Sequence, residues 1–242
     1  MKKCDILRKI SVATLCLTVV IGLWLYFWVL YDLPSPENFA TYIPPSGNYI
    51  PVSLSEIPEM LRWATVVTED KDFYSRSPRL GLPFILRSIW YNLDCAGHEC
   101  LRIRGATIPQ QLVVELMLTS DKNHDRSLRQ DMRDLALTIM ITQRYTCDEI
   151  LEFYLNSDSY AGQIYGVEAA AQFYFGKHVR DLNLAECAIL PAIARMPDFE
   201  PLDDLEIAQE RQAAVLDLMV ENGYINELEA NLAKEEPVFF EP

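Results

Sequence analysis

The chain has 242 residues, half of them hydrophobic, and carries 35 acidic against 21 basic side chains for a formal net charge of −14. That length suits one globular domain plus a membranous segment. The acidic balance excludes a nucleic-acid binder, which would need a basic stripe.

The uncharged run from Ile10 to Leu30 is 21 residues long, enough at about 1.5 Å per residue to cross a hydrocarbon core about 30 Å thick. Lys2, Lys3, Arg8 and Lys9 precede it, whereas Asp32 and Glu37 follow it. The positive flank stays inside. Residues 1–9 are therefore predicted to be a cytoplasmic tail, 10–30 a transmembrane anchor, and the remainder a domain on the outer, periplasmic face of the cytoplasmic (inner) membrane. A cleaved signal peptide is the rival reading, but Phe27-Trp28-Val29-Leu30-Tyr31 lacks the small residues that cleavage requires. Residues 1–30 hold four basic side chains and one acid, Asp5, which leaves 17 basic and 34 acidic residues outside. An outer part of net charge −17 is repelled by anionic head groups unless its basic residues are focused locally.

Cys4 falls inside and Cys16 within the anchor, leaving Cys95, Cys100, Cys147 and Cys187 outside. An even number in an oxidising compartment suggests disulfides, with three connectivities open. A Cys95–Cys100 bridge would close a short loop and contribute about 2 kcal/mol. A metal site on Cys95, His98 and Cys100 lacks a second ligand pair at zinc-like spacing, so no metal ligand is assigned.

Residues 31–52 contain Pro34, Pro36, Pro44, Pro45 and Pro51 and read as an extended linker. A first helix is predicted over Ser55–Val67, with Met60, Trp63, Ala64 and Val67 on one face. The acidic pair Glu69-Asp70 ends it. Residues 79–93 are strongly apolar, either a core helix or a segment dipping into the membrane face, and 94–104 form a polar loop. Thr107 is predicted to cap a helix from Gln110 to Leu118, with Pro109 at its start. Arg126–Arg144 is helical, with Arg126, Arg129 and Arg133 beside Asp134. Thr146-Cys147-Asp148-Glu149 is a capping box, and Asn183-Leu184-Ala185-Glu186 is a second polar start. Arg211–Val220 and Ile225–Leu232 close the chain, with Gly223 between them as a cap. Alternating runs are few, so residues 53–242 read as one all-α domain.

Several of these pieces together resemble the peptidoglycan glycosyltransferases, glycosyltransferase family 51. Glu69-Asp70-x-x-Phe73 looks like the first motif of that family, and Gly105-x-Thr107-Ile108-x-Gln110-Gln111 is similar to its second. Ile150-Leu151-Glu152-x-Tyr154-Leu155-Asn156, Tyr165-Gly166-Val167-Glu168-Ala169-Ala170-Ala171 and Tyr174-Phe175-Gly176-Lys177 look like its later motifs. Leu184-Ala185-Glu186-x-Ala188-x-Leu190 and Pro197-x-x-x-Pro201 fit its closing part, so the order agrees over about 52–201. The resemblance implies a lysozyme-like all-α fold behind one transmembrane helix. The sequence ends at residue 242, which leaves no room for a penicillin-binding transpeptidase domain and is similar to the monofunctional members.

That resemblance implies polymerisation of lipid II onto a nascent glycan strand with inversion. Glu69 would be the general base and Asp134 a second catalytic carboxylate. Asp70, Phe73, Thr107, Gln110, Gln111, Arg126, Arg129 and Arg133 would contact substrate. It allows a divalent metal, Mg or Mn, on the departing pyrophosphate and implies no other cofactor. Its expected partners are lipid II, the glycan strand, the bilayer and other cell-wall synthesis proteins. Departures from the family pattern sit mostly on the pyrophosphate side. Arg76 and Pro78 replace a His and a Gly, Ala106 a Ser, and Val114 a Lys. The pattern Arg-Lys-x-x-Glu falls on Gln130-Asp131-Met132-Arg133-Asp134, so two cations are lost and the Glu is shortened. Three readings follow: an active polymerase, a weak or inactive relative that binds precursor or a synthase partner, and a lysozyme-like glycan cleaver using one Glu as acid.

Overall fold

The computed structural model describes residues 16–24, 26–31, 33–37, 49–76, 107–117, 128–160, 164–194, 205–238 and 240. After a 3-10 turn at Leu54–Glu56, eight α-helices follow among the described residues. They are α1 (Glu59–Glu69), α2 (Ile108–Met117), α3 (Leu128–Arg144), α4 (Cys147–Ser157), α5 (Val167–Phe175), α6 (Leu184–Ile193), α7 (Leu205–Glu221) and α8 (Glu227–Glu235). Between α4 and α5 lies an antiparallel pair, β1 (Ser159–Tyr160) and β2 (Ile164–Tyr165), with Ser159 opposite Tyr165 and Tyr160 opposite Ile164. The domain is thus mostly helical, as expected, with one small sheet among the described residues.

The core is built around α6. Every residue from Ala185 to Ile193 is buried, the pattern of a helix enclosed on all sides. α1 and α7 pack against it, and α8 packs on α7. A second layer places α2 between α3 and α4. Gln212 of α7 donates to the Ala185 carbonyl at 2.8 Å, fixing α7 to the start of α6.

The polar helix starts form as the sequence indicates. Thr146 and Asn183 each accept from the backbone N–H three residues on, and Glu149 and Glu186 complete the two capping boxes. Asn226 makes a third with Glu229. Gly223 has φ +77°. Tyr224 N–H bonds the Met219 carbonyl and Gly223 N–H that of Val220, a Schellman closure of α7. The predicted first helix is divided instead, because Pro58 caps α1 and separates it from the 3-10 turn. α3 is described from Leu128, and Arg126 lies outside the described residues. So do residues 79–93, residues 94–104, Cys95 and Cys100.

The linker is not a loose spacer at its described ends. Asn156 accepts from Val52 N–H at 2.9 Å and donates to the Val52 carbonyl at 2.8 Å. One turn earlier Glu152 accepts from Leu54 N–H at 2.7 Å. These two motif residues therefore staple the entering chain to α4. Gly166 enables the turn that follows: its φ is +87°, and a Cβ there would stand 2.7 Å from the Asn156 carbonyl oxygen.

Of the predicted anchor, 16–24 and 26–30 are helical and residues 10–15 and 25 lie outside the described residues. Among the described residues no helix is long and apolar enough to cross a membrane. Cys147 and Cys187 are free thiols, which corrects their place among the disulfide candidates. Cys187 sits in the enclosed helix α6, where burial and then Glu186 push its thiol up to about 12.

Gly166→Ala combines a disallowed backbone with a backbone clash and should cost about 3 kcal/mol, read as a lower unfolding midpoint in detergent. A maleimide reagent should leave Cys187 unmodified in the native protein and label it only after denaturation, followed by mass spectrometry.

Candidate active site

α1 delivers two adjacent carboxylates at its C-terminal end, and they have different fates. Asp70 follows the last helical residue and is buried. One of its oxygens accepts from the Arg76 guanidinium and the other from Ile108 N–H at 3.3 Å. Ile108 is the first residue of α2, so Asp70 sits on the positive end of that helix. Burial nevertheless pushes its carboxyl above the ordinary value, against the opposing pull of Arg76 and the Ile108 N–H. Asp70 thus acts here as a joint between α1 and α2.

That joint brings Glu69 to the first turn of α2. Gln111 Nε2 donates to Glu69 Oε2 at 2.8 Å. Thr107 caps the helix by accepting from Gln110 N–H at 3.4 Å, and its hydroxyl donates to Gln110 Oε1 at 3.2 Å. Pro109 is the second helical residue, where a missing N–H leaves no intrahelical bond unmade. Glu69 is half-buried, with Gln111 and Thr107 buried beside it. The structure therefore assembles Glu69, Asp70, Thr107, Gln110 and Gln111 from two sequence motifs about forty residues apart (Gln111 to Glu69 is 42 positions).

Phe73 belongs to the core rather than to an exposed surface. Its N–H bonds the Asp70 carbonyl, turning the chain back after α1. Tyr74 then reaches Asp148 with its hydroxyl at 2.9 Å and meets Trp63 edge-on at 5.4 Å. Burial and that bond raise the Tyr74 phenol above its ordinary value. Trp63 in turn stacks on Tyr224 at 4.5 Å, so the turn between α7 and α8 braces α1. Tyr160, fully enclosed, was not marked by any motif; burial, and then the charges of Asp158 and Glu69, hold its hydroxyl protonated.

Arg133 and Asp134 are half-buried on α3, which packs against α2. Arg129, from the same helix, donates its Nε to the Trp28 carbonyl at 2.7 Å. Asp131 and Gln130 occupy the positions next to it. Among the described residues no group of three or more His, Cys, Asp or Glu side chains is arranged to hold a metal ion. Two carboxylates of the later motifs, Glu168 and Glu186, hold structure. Glu168 accepts from His178 Nδ1 at 2.7 Å, Val179 N–H at 2.9 Å and Gln172, and Glu186 accepts from Lys177 at 2.6 Å.

Arg76→Met would leave the buried Asp70 carboxylate without its cation. The cost should be about 1–3 kcal/mol near neutral pH, below that of a fully buried pair because Arg76 is 34% exposed. Asp70 already lies above its ordinary value, so its charge opposes folding, and losing Arg76 raises the folded value further. Stability of the variant should therefore recover as pH falls into the carboxylate range, read from denaturant melts at several pH values.

Residues 37–220 match the family model described as Transglycosylase. Penicillin-binding protein 1A of Haemophilus influenzae is 35% identical over 237 residues, covering 94% of this chain and 27% of that protein. Penicillin-binding protein 1A of Rickettsia felis is 31% identical over 243 residues, covering 91% and 30%. Penicillin-binding protein 1F of Bacillus subtilis is 32% identical over 188 residues, covering 77% and 25%. The chain therefore spans between a quarter and a third of the length of these relatives. A crystal structure of penicillin-binding protein 1A from Haemophilus influenzae aligns with 80% of this chain and 18% of its own, at 24% identity and a TM-score of 0.44. On the match of residues 37–220, with Glu69 and Gln111 joined across the two motifs, this chain belongs to the transglycosylase family of peptidoglycan glycosyltransferases.

Proposed function

We propose that this chain is a membrane-anchored peptidoglycan glycosyltransferase that polymerises lipid II, with Glu69 as general base, on a lysozyme-like scaffold. The observation that carries the reading is the Gln111–Glu69 bond at 2.8 Å. It holds a half-buried carboxylate in a fixed orientation at the first turn of a helix. In the reaction the 4-hydroxyl of the acceptor lipid II forms a bond to the anomeric carbon of the donor glycan. Glu69 takes the hydroxyl proton within hydrogen-bond reach. The bond from that carbon to the pyrophosphate oxygen breaks, the electron pair leaves with the lipid pyrophosphate, and the configuration inverts. Asp134 and Arg133 on α3, with the α2 start near Thr107 and Gln110, line the donor side. A divalent metal, Mg or Mn, would accompany the pyrophosphate.

Both lipid tails must remain in a bilayer, which calls for a tether. The helical stretch 16–24 presents Leu17, Val20 and Trp24 at 59%, 61% and 61% exposure, a surface suited to acyl chains. It continues the uncharged run that begins at Ile10. The proposed anchor keeps residues 1–9 inside and the domain on the periplasmic face, where synthase partners of the cell wall would meet it.

A second reading is a relative that binds precursor without turnover. Gln130 and Asp131 on α3 favour it, since an acid and an amide stand where the family places two cations. Purified full-length protein with lipid II and Mg or Mn should form long glycan strands. Glu69→Gln should lower the rate by at least about a hundredfold while leaving lipid II retention unchanged. Retention without strands from either protein would establish the binding reading, and soluble fragments released from isolated cell walls would establish a glycan cleaver instead.

A further inference from the structure

The stretch that follows the N-terminal helix is held at two points. Arg129 Nε donates to the Trp28 carbonyl at 2.7 Å, and Tyr145 donates its hydroxyl to the Pro36 carbonyl at 2.9 Å. These two residues stand at opposite ends of α3: Arg129 is its second residue, and Tyr145 follows its last. From one to the other α3 rises about 24 Å. The two holds therefore set the two ends of the segment at the two ends of α3, in the same direction, and Leu33 packs against the core between them.

Chemistry at the first hold is specific. The helix ends at residue 30, so the Trp28 carbonyl belongs to its last turn. A guanidinium there satisfies that acceptor and faces the negative end of the helix dipole. At the second hold Tyr145 is oriented by Phe153, edge-on at 5.1 Å. Stacking of Trp24 on Trp28 at 5.7 Å stiffens the helix just before the clamp.

We propose that Arg129 is a positioning residue rather than a pyrophosphate ligand: with Tyr145 it clamps residues 28–36 along α3, so that the N-terminal helix and the helix bearing Arg133 and Asp134 move as one body. The catalytic consequence rests on the proposed polymerase reading, but the clamp itself does not. A tether fixed to α3 sets the height and tilt of the site relative to whatever holds the N-terminal helix. A loose tether would let α3 shift against α2, where Gln111 orients Glu69.

The test uses the full chain in detergent, with spin labels carried by non-natural amino acids at Val20 and Leu228, both exposed. Pulsed dipolar spectroscopy should give one narrow distance distribution for the parent. Arg129→Met should broaden it, and Arg129→Lys, which keeps a donor, should restore it. Tyr145→Phe, which keeps the ring and removes only the hydroxyl, should also broaden it and serves if Arg129→Met does not fold. In a lipid II assay Arg129→Met should retain substrate as the parent does, while turnover falls about tenfold or more from misplacement of α3. Narrow distributions in both Arg129→Met and Tyr145→Phe overturn the clamp. Loss of lipid II retention with an unchanged distribution makes Arg129 a ligand to the pyrophosphate. If the parent does not act on lipid II, the polymerase reading fails, and the distance measurement still decides the clamp.

Discussion

The buried Asp70 carboxylate is the constraint on which the site depends. It lies between the Arg76 guanidinium and the first N–H of α2. A carboxylate in that place draws two elements together that are otherwise joined only through 38 positions of chain. Its neighbour Glu69 gains its amide partner as a geometric result of that joint. Adjacent carboxylates thus divide labour: one is spent inside the protein to orient the other beside Gln111. Arg76 supplies the counter-charge that this division requires.

Local signals were legible in the sequence, and their partners were not. The capping boxes at Thr146 and Asn183 and the cap at Thr107 follow from residues within four positions. By contrast, Pro58 divides a stretch whose apolar periodicity runs straight through it, because periodicity is blind to a missing N–H. The roles of Asn156, Glu152 and Gly166 lay outside local reasoning altogether. Asn156 and Glu152 bond backbone about a hundred positions away, and Gly166 is required by a carbonyl that only the folded chain brings near. For the site, residues of the first two motifs meet at the α1–α2 junction. They did not separate Glu69, which presents an oriented oxygen, from Asp70 and Phe73, which build the support.

α3 carries mixed charge: Arg133 stands beside Asp134, with Gln130 and Asp131 before them, and Arg129 turns to the N-terminal helix. One helix therefore serves two neighbours, α2 and the entering chain. The C-terminal helices contribute from a distance: Tyr224 stacks on Trp63, and α7 packs on both α1 and α6. Residues 205–238, which carry no motif chemistry, thus form the back wall against which α1 is set.

The staple between Val52 and Asn156 also dictates an order of events during synthesis. Its two ends are 104 positions apart. At about 5–20 residues per second, the early segment must wait roughly five to twenty seconds before its partner helix emerges. Until then Val52 and Leu54 have unpaired backbone and the floor of the core is missing. Contacts of such long range form late, since loop closure must precede any reward. A newborn chain of this kind is therefore exposed to proteolysis and to wrong pairing until α4 emerges, and its final compaction waits for α6, around which the core is built.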